Sequence, residues 1–235
     1  MQTGATIPSA SPQGKGMWNS SIGLKFIVAV TGAILVLFVV GHMVGNLQVF
    51  LGPEVFNAYG EKLRAIPVLL WVVRAVVAAS AILHVTVTIM LALGNNAARP
   101  VGYDKKQSVK ASLASRTMVW GGLLLAAFVI YHLAHYTWRL TNPEYQTLVD
   151  AHGRHDIYAM VVAGFQNALV SVSYIVAMIL LGYHLSHGIA SMFQTVGWAT
   201  TKTLPRFERA AMVIAIVLVV GYISIPISIL TGLVR

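Results

Sequence analysis

The chain has no cysteine and few charges: 10% of its 235 residues are Asp, Glu, Lys or Arg, against 57% hydrophobic. The missing cysteine excludes thioether-linked haem, cysteine-ligated iron–sulfur clusters, Cys-type zinc sites and disulfides within the chain. Any metal must therefore be held by histidine or oxygen ligands. The shortage of charge is equally informative. A soluble domain carries about 25% charged residues, so this is the composition of a membrane protein. Acids are the scarcer sign, with Asp+Glu 7 against Lys+Arg 16 and a formal net charge of +9. On a soluble chain that excess would point to nucleic acid. On a membrane chain it reads as basic cytoplasmic loops, and no nucleic-acid partner is expected.

Long apolar runs are what the chain does have. Segments 22–49, 68–93, 117–139, 158–193 (apolar core 168–185) and 206–233 approach or exceed the roughly 20 apolar residues that cross a bilayer. The expected fold is all-α, a bundle of five transmembrane helices spanning 22–235. Residues 1–21 are polar, with Lys15 their only charge, and read as a short cytoplasmic arm. They are not read as a secretory signal, because the run that follows is long enough to span and shows no small-residue cleavage site. Pro67 opens the second helix, where its missing N–H costs little, and Pro226 inside the fifth predicts a kink.

Orientation follows from the loop cations. An inside N-terminus places Lys15, Lys25, Arg99, Lys105, Lys106, Lys110, Arg116, Lys202, Arg206 and Arg209 on the cytoplasmic side. Only Lys62, Arg64, Arg74, Arg139, Arg154 and Arg235 then lie outside, with Glu54, Glu61, Glu144, Asp150 and Asp156.

Four of the apolar segments each hold a histidine. An ionisable group in a membrane-length run is a functional-site candidate, and imidazole is a common metal ligand. His42 and His132 each lie about seven residues before the outer end of their helix, and His84 and His184 about nine before the inner end. At 1.5 Å per residue the first two share a level roughly 10 Å from the outer end, and the second two a level roughly 13 Å from the inner end. Helices of about 39 Å then stack two bis-histidine sites roughly 15 Å apart, a spacing suited to electron transfer across the membrane. One such histidine could be an interhelical hydrogen bond or a proton relay. Four in two depth-matched pairs point to haem, with His42 and His132 on an outer iron and His84 and His184 on an inner one. Zinc would want its ligands gathered in one place. Two axial imidazoles also leave no open position for oxygen, which favours electron transfer.

Further motifs join these histidines. They are His42-Met43-Val44-Gly45-Asn46-Leu47, Phe56-Asn57-Ala58-Tyr59 with Leu63, and Ala98-Arg99-Pro100 with Tyr103 after His84. Later come Tyr131-His132-Leu133-Ala134-His135, His155-Asp156-Ile157-Tyr158, Gly164-Phe165 and the stretch from His184 to Gly197. Their order and spacing resemble the cytochrome b membrane anchor of succinate dehydrogenase and fumarate reductase, in its single-subunit, five-helix, two-haem form. The resemblance implies two haem b groups on the paired histidines and an iron–sulfur subunit docked on the cytoplasmic face. It also implies a succinate-oxidising flavoprotein beyond that subunit and a quinone, usually menaquinone, as the electron acceptor or donor. Succinate chemistry would not occur on this chain, which would sit in a bacterial or archaeal cytoplasmic membrane. Relatives with a catalytic glutamate carry it late in the first outer loop, which makes Glu61 the candidate, with Glu54 or an acid of the second outer loop as substitutes.

Arg74 and Arg116, near the outer and inner ends of their helices, are candidate partners for haem propionates, since a guanidinium matches a carboxylate in bidentate fashion. Snorkelling to the interface is the alternative. His135 and His187 follow ligands by three residues, nearly on the same helix face. Each could reach a propionate, cap a helix end or face a partner subunit. His152 and His155 flank Arg154 in the outer loop, either solvated or on a proton path. Competing functions are the haem b subunit of a hydrogenase or formate dehydrogenase, a proton-coupled transporter, and an anchor without haem.

Overall fold

Ser20 opens the first span by accepting a hydrogen bond from the Gly23 N–H at 3.4 Å. A computed structural model describes residues 20–97 and 113–235, without the side chains at 96 and 113–117; residues 1–19 of the N-terminal arm and Arg99, Lys105, Lys106 and Lys110 lie outside them. Helix α1 (Ser21–Asn46) runs on through a short 3₁₀ turn, Leu47–Leu51. Gly52, at φ 91°, reverses the chain into α2 (Pro53–Arg64). Then come α3 (Pro67–Ala97), α4 (Leu113–His132), α5 (Ile157–Gln166), α6 (Ala168–Thr195) and α7 (Leu204–Leu230). Five stretches are long and apolar enough to cross a membrane: Ser21–Leu51, Pro67–Asn95, Met118–Thr137, Ala168–Thr195 and Leu204–Leu230. There is no strand among the described residues, only an isolated bridge between Val149 and His155. Pro226 lies inside α7, which continues through it to Leu230.

The fourth apolar segment, 158–193, is two helices rather than one. Asn167 breaks it: its backbone is extended (φ −76°, ψ 115°), and its side chain accepts from the N–H groups of Leu169 and Val170 at 3.0 and 3.3 Å. Asparagine is a strong helix N-cap, but the apolar residues on both sides conceal the break from a hydropathy count. Helix α2 is likewise unannounced, because it is too short and too polar to register as a span. It packs on α5.

Four spans form a square. Helix α1 packs beside α3 and α6, and α4 beside the same two. So α1 and α4 stand at opposite corners, as do α3 and α6. Helix α7 lies outside the square against α6, where small residues let the backbones close. A Cβ at Gly182 would come within 2.6 Å of Val219 Cγ2, and Ala211 is wholly buried.

Asn57 ties α2 to the start of α5 and the loop before it. It is 1% exposed, donates to Asp150 Oδ2 (3.2 Å) and Asp156 Oδ1 (3.0 Å), and accepts from the Tyr158 N–H (3.0 Å). Asp156 in turn caps α5 by accepting from the Ala159 N–H at 2.9 Å.

Candidate functional site

The square's diagonals are where the histidines meet. His42 on α1 faces His132 on α4, with ring centroids 5.8 Å apart and planes at 88°. His84 on α3 faces His184 on α6 at 6.3 Å and 64°. All four are half-buried, and neither pair is hydrogen-bonded to itself. Two imidazoles on opposite sides of one metal, each bound at about 2 Å, place their ring centres about 6 Å apart. Both spacings fit that arrangement. No group of three or more His, Asp or Glu ligands occurs among the described residues. Two donors per level suit a metal whose remaining positions are filled by a macrocycle.

Glycines give the inner pair room. A Cβ at Gly32 would sit 3.2 Å from His84 Cε1, and one at Gly122 would sit 3.4 Å from His184 Cε1. Three of the four imidazoles meet a hydroxyl at Nδ1: His42 meets Tyr222 Oη, His132 meets Tyr174 Oη and His84 meets Thr31 Oγ1, each at 3.2 Å. His184 Nδ1 is buried without a partner. These hydroxyl residues carry no sequence motif. Their only signal is that they are polar side chains inside apolar spans.

Immediately after His132 the helix widens into a π turn, Leu133–Thr137. His135 still shares the face of His132 across this wider turn, since both rings reach the same Tyr174 hydroxyl. His135 neither caps a helix nor faces outward. It is 1% exposed, stacked on Tyr136 (centroids 4.0 Å) and Tyr131 (5.6 Å), with Nδ1 3.1 Å from Tyr174 Oη. His187 is half-buried one turn beyond His184.

A cluster of basic residues gathers at one end of the bundle. Arg139 holds the left-handed conformation at φ 54°, uncommon for a residue with a side chain. Its Nε is buried without a partner, as is Nε2 of His155, whose Nδ1 lies 3.0 Å from the Leu148 carbonyl. Burial, then the like charges of Arg139 and Arg74, lower the Arg64 guanidinium from its usual range. Burial and then Arg139 lower His155 as well, partly offset by the Leu148 carbonyl. Arg74 also lies over the Trp71 ring at 5.1 Å. So Arg64, Arg74, Arg139 and His155 form one basic group. Arg116 is at the start of α4, with its side chain outside the described residues.

Of the acids expected outside, Glu61 is exposed on α2 and its side chain makes no hydrogen bond or ion pair among the described residues. Glu54 is exposed but engaged: Arg154 grips it in a fork at 3.0 and 2.8 Å, and His152 lies 3.2 Å away. The hydrogen bond from Arg154 holds the Glu54 carboxyl below its ordinary range. Arg154 Nε also donates to Asp150 Oδ2 at 2.7 Å. Burial would raise the Asp150 carboxyl, but hydrogen bonds from the Arg154 side chain and from the backbone of Arg154 and His152 bring it down to about 2. A depressed carboxylate stabilises the fold fully above its ordinary 3.8 and loses that effect as the pH falls through about 2. Hydrogen exchange at the amides of His152 and Arg154, corrected for intrinsic rates, should therefore quicken between pH 5 and pH 2.

Compared with known protein families, residues 95–223 match the succinate dehydrogenase/fumarate reductase transmembrane subunit, more than half of the chain. The chain belongs to that family. Comparison with curated proteins and with solved structures returned no match. The matched stretch holds His132, His184, Tyr174 and Tyr222, whereas His42 and His84 precede it. This succinate dehydrogenase/fumarate reductase subunit is thus a multi-pass membrane protein, with paired imidazoles at two levels on the diagonals of its bundle.

Proposed function

We propose that this subunit binds two b haems, one between His42 and His132 and one between His84 and His184, and conducts electrons between an iron–sulfur subunit and a membrane quinone. The observation that carries the reading is the pair of imidazole spacings, 5.8 and 6.3 Å, in a chain of this family. Haem bound there supplies reversible one-electron transfer. The protein's own part is to hold the imidazoles at opposite corners of the square, to leave space at Gly32 and Gly122, and to offer cations to the acidic edge of the macrocycle. Arg64, Arg74 and Arg139 form that cationic edge for the outer group, with the His155 imidazole, disfavoured as a cation, beside them, and Arg116 is the candidate for the inner one. Glu61 is the candidate proton carrier for the quinone, usually menaquinone in this family. It is the outer carboxylate left uncommitted, whereas Glu54 is bound to Arg154. The basic N-terminal and inner loops set the cytoplasmic side, where the iron–sulfur subunit and, through it, the flavoprotein dock.

A dithionite-reduced minus oxidised spectrum of the purified protein should show b-type bands, and a pyridine-haemochrome assay should give two haems per chain. Absence of haem bands overturns the reading. Copurification with a succinate-oxidising flavoprotein tests the partner assignment, and its failure in an intact haem protein would favour a different respiratory complex.

A further inference from the structure

An imidazole has two nitrogens, and what Nδ1 does decides what Nε2 is free to do. Tyr222 carries one hydroxyl proton. It donates that proton to the Val39 carbonyl at 2.7 Å, so toward His42 Nδ1, 3.2 Å away, it can only accept. His42 is thereby fixed with its proton on Nδ1 and a lone pair on Nε2. Thr31 repeats the logic at the inner level: its hydroxyl donates to the Ile27 carbonyl at 2.8 Å and accepts from His84 Nδ1 at 3.2 Å. Tyr174 stands between two such atoms, His132 Nδ1 at 3.2 Å and His135 Nδ1 at 3.1 Å. One phenol proton can serve only one of them. If His132 is to keep Nε2 for a metal, it donates to Tyr174, and Tyr174 donates to His135. That chain of donors also accounts for a histidine buried to 1% among aromatic rings.

We propose that Tyr222 and Tyr174 are positioning residues for the outer haem, accepting the Nδ1–H of His42 and His132 so that both present Nε2 to the iron. The proposal rests on the dihaem reading above. Accepting a proton from a ligand imidazole fixes its tautomer and ring angle and makes the opposite nitrogen a stronger donor. A stronger donor favours the ferric state, so these phenols set the outer potential lower than bare histidines would. Helix α7 carries no paired histidine, and Tyr222 brings its hydroxyl to His42 Nδ1.

The test uses the haem-loaded protein with Tyr222→Phe and Tyr174→Phe, each of which removes one oxygen atom. Spectroelectrochemical titration should find both haems retained and one of them shifted about tenfold toward the ferrous form, a rise of about 59 mV for one electron. The second haem should not move. Thr31→Val should raise the potential of that second haem instead, and Thr31→Ser should restore it, which a loss of packing alone would not produce. Either Phe variant suffices, because the two act on different ligands. Retained haems with unmoved potentials in both Phe variants overturn the proposal, as does a Thr31→Val shift in the same haem that Tyr222→Phe moves. A wild-type protein without haem overturns the dihaem reading itself, before any variant is measured.

Discussion

Replacing His184 by Ala should leave one haem per chain instead of two, with the outer group spectrally intact. The reason is the separation of levels. His184 faces His84 across one diagonal of the bundle, while His42 faces His132 across the other. The hydroxyl partners are separate as well: Thr31 serves the inner pair, and Tyr222 and Tyr174 the outer. His184 itself has no Nδ1 partner, so its loss disturbs no hydrogen bond in the outer site. His132→Ala should give the converse result, an inner haem without an outer one. Haemochrome quantification with redox titration distinguishes the two survivors by potential. Loss of both haems in a folded His184→Ala protein, or retention of both, would show that the pairs are not independent sites.

The second large effect is on stability. Asn57→Leu removes two donors and one acceptor at a position that is 1% exposed. It leaves Asp150 and Asp156 each short of an N–H and the Tyr158 N–H without an acceptor. A buried polar group stripped of its partner costs about 1–3 kcal/mol. A total of about 3 kcal/mol is expected here, because water reaches part of the loop. For a chain of this size that lowers the thermal midpoint by about 10 °C. Glu54→Gln is the control: it weakens a solvent-exposed ion pair, so its midpoint should hardly move. Thermal unfolding in detergent measures both. Equal midpoints for the two variants would show that Asn57 is not the link between α2 and the α5 cap.

The spans were legible because the bilayer imposes a length on apolar sequence that little else mimics. The levels of the histidines were legible for a related reason: residues counted from a helix end are distances along the membrane normal. The imidazoles that share a level are the ones that face each other. Lateral arrangement left a fainter trace. The depth pairing sets the first span facing the third and the second facing the fourth, but nothing in the residue order says that α7 stands outside the square. The break at Asn167 was hidden by the apolar residues on both sides of it. His135 was placed on the face of His132 by its spacing, but its burial among Tyr131, Tyr136 and Tyr174 follows from a π turn that no residue type marks. Tyr222, Tyr174 and Thr31 escaped for a different reason: a hydroxyl in a span becomes meaningful only when the atom opposite it is known.

The diagonal arrangement also sets an order of birth. The chain is made from its N-terminus, so the outer pair has both its histidines once the third span exists. The inner pair must wait for the fourth. Tyr222, on the last span, comes after both. The two imidazoles proposed for one haem are therefore made before α7, the helix whose Tyr222 meets His42 Nδ1.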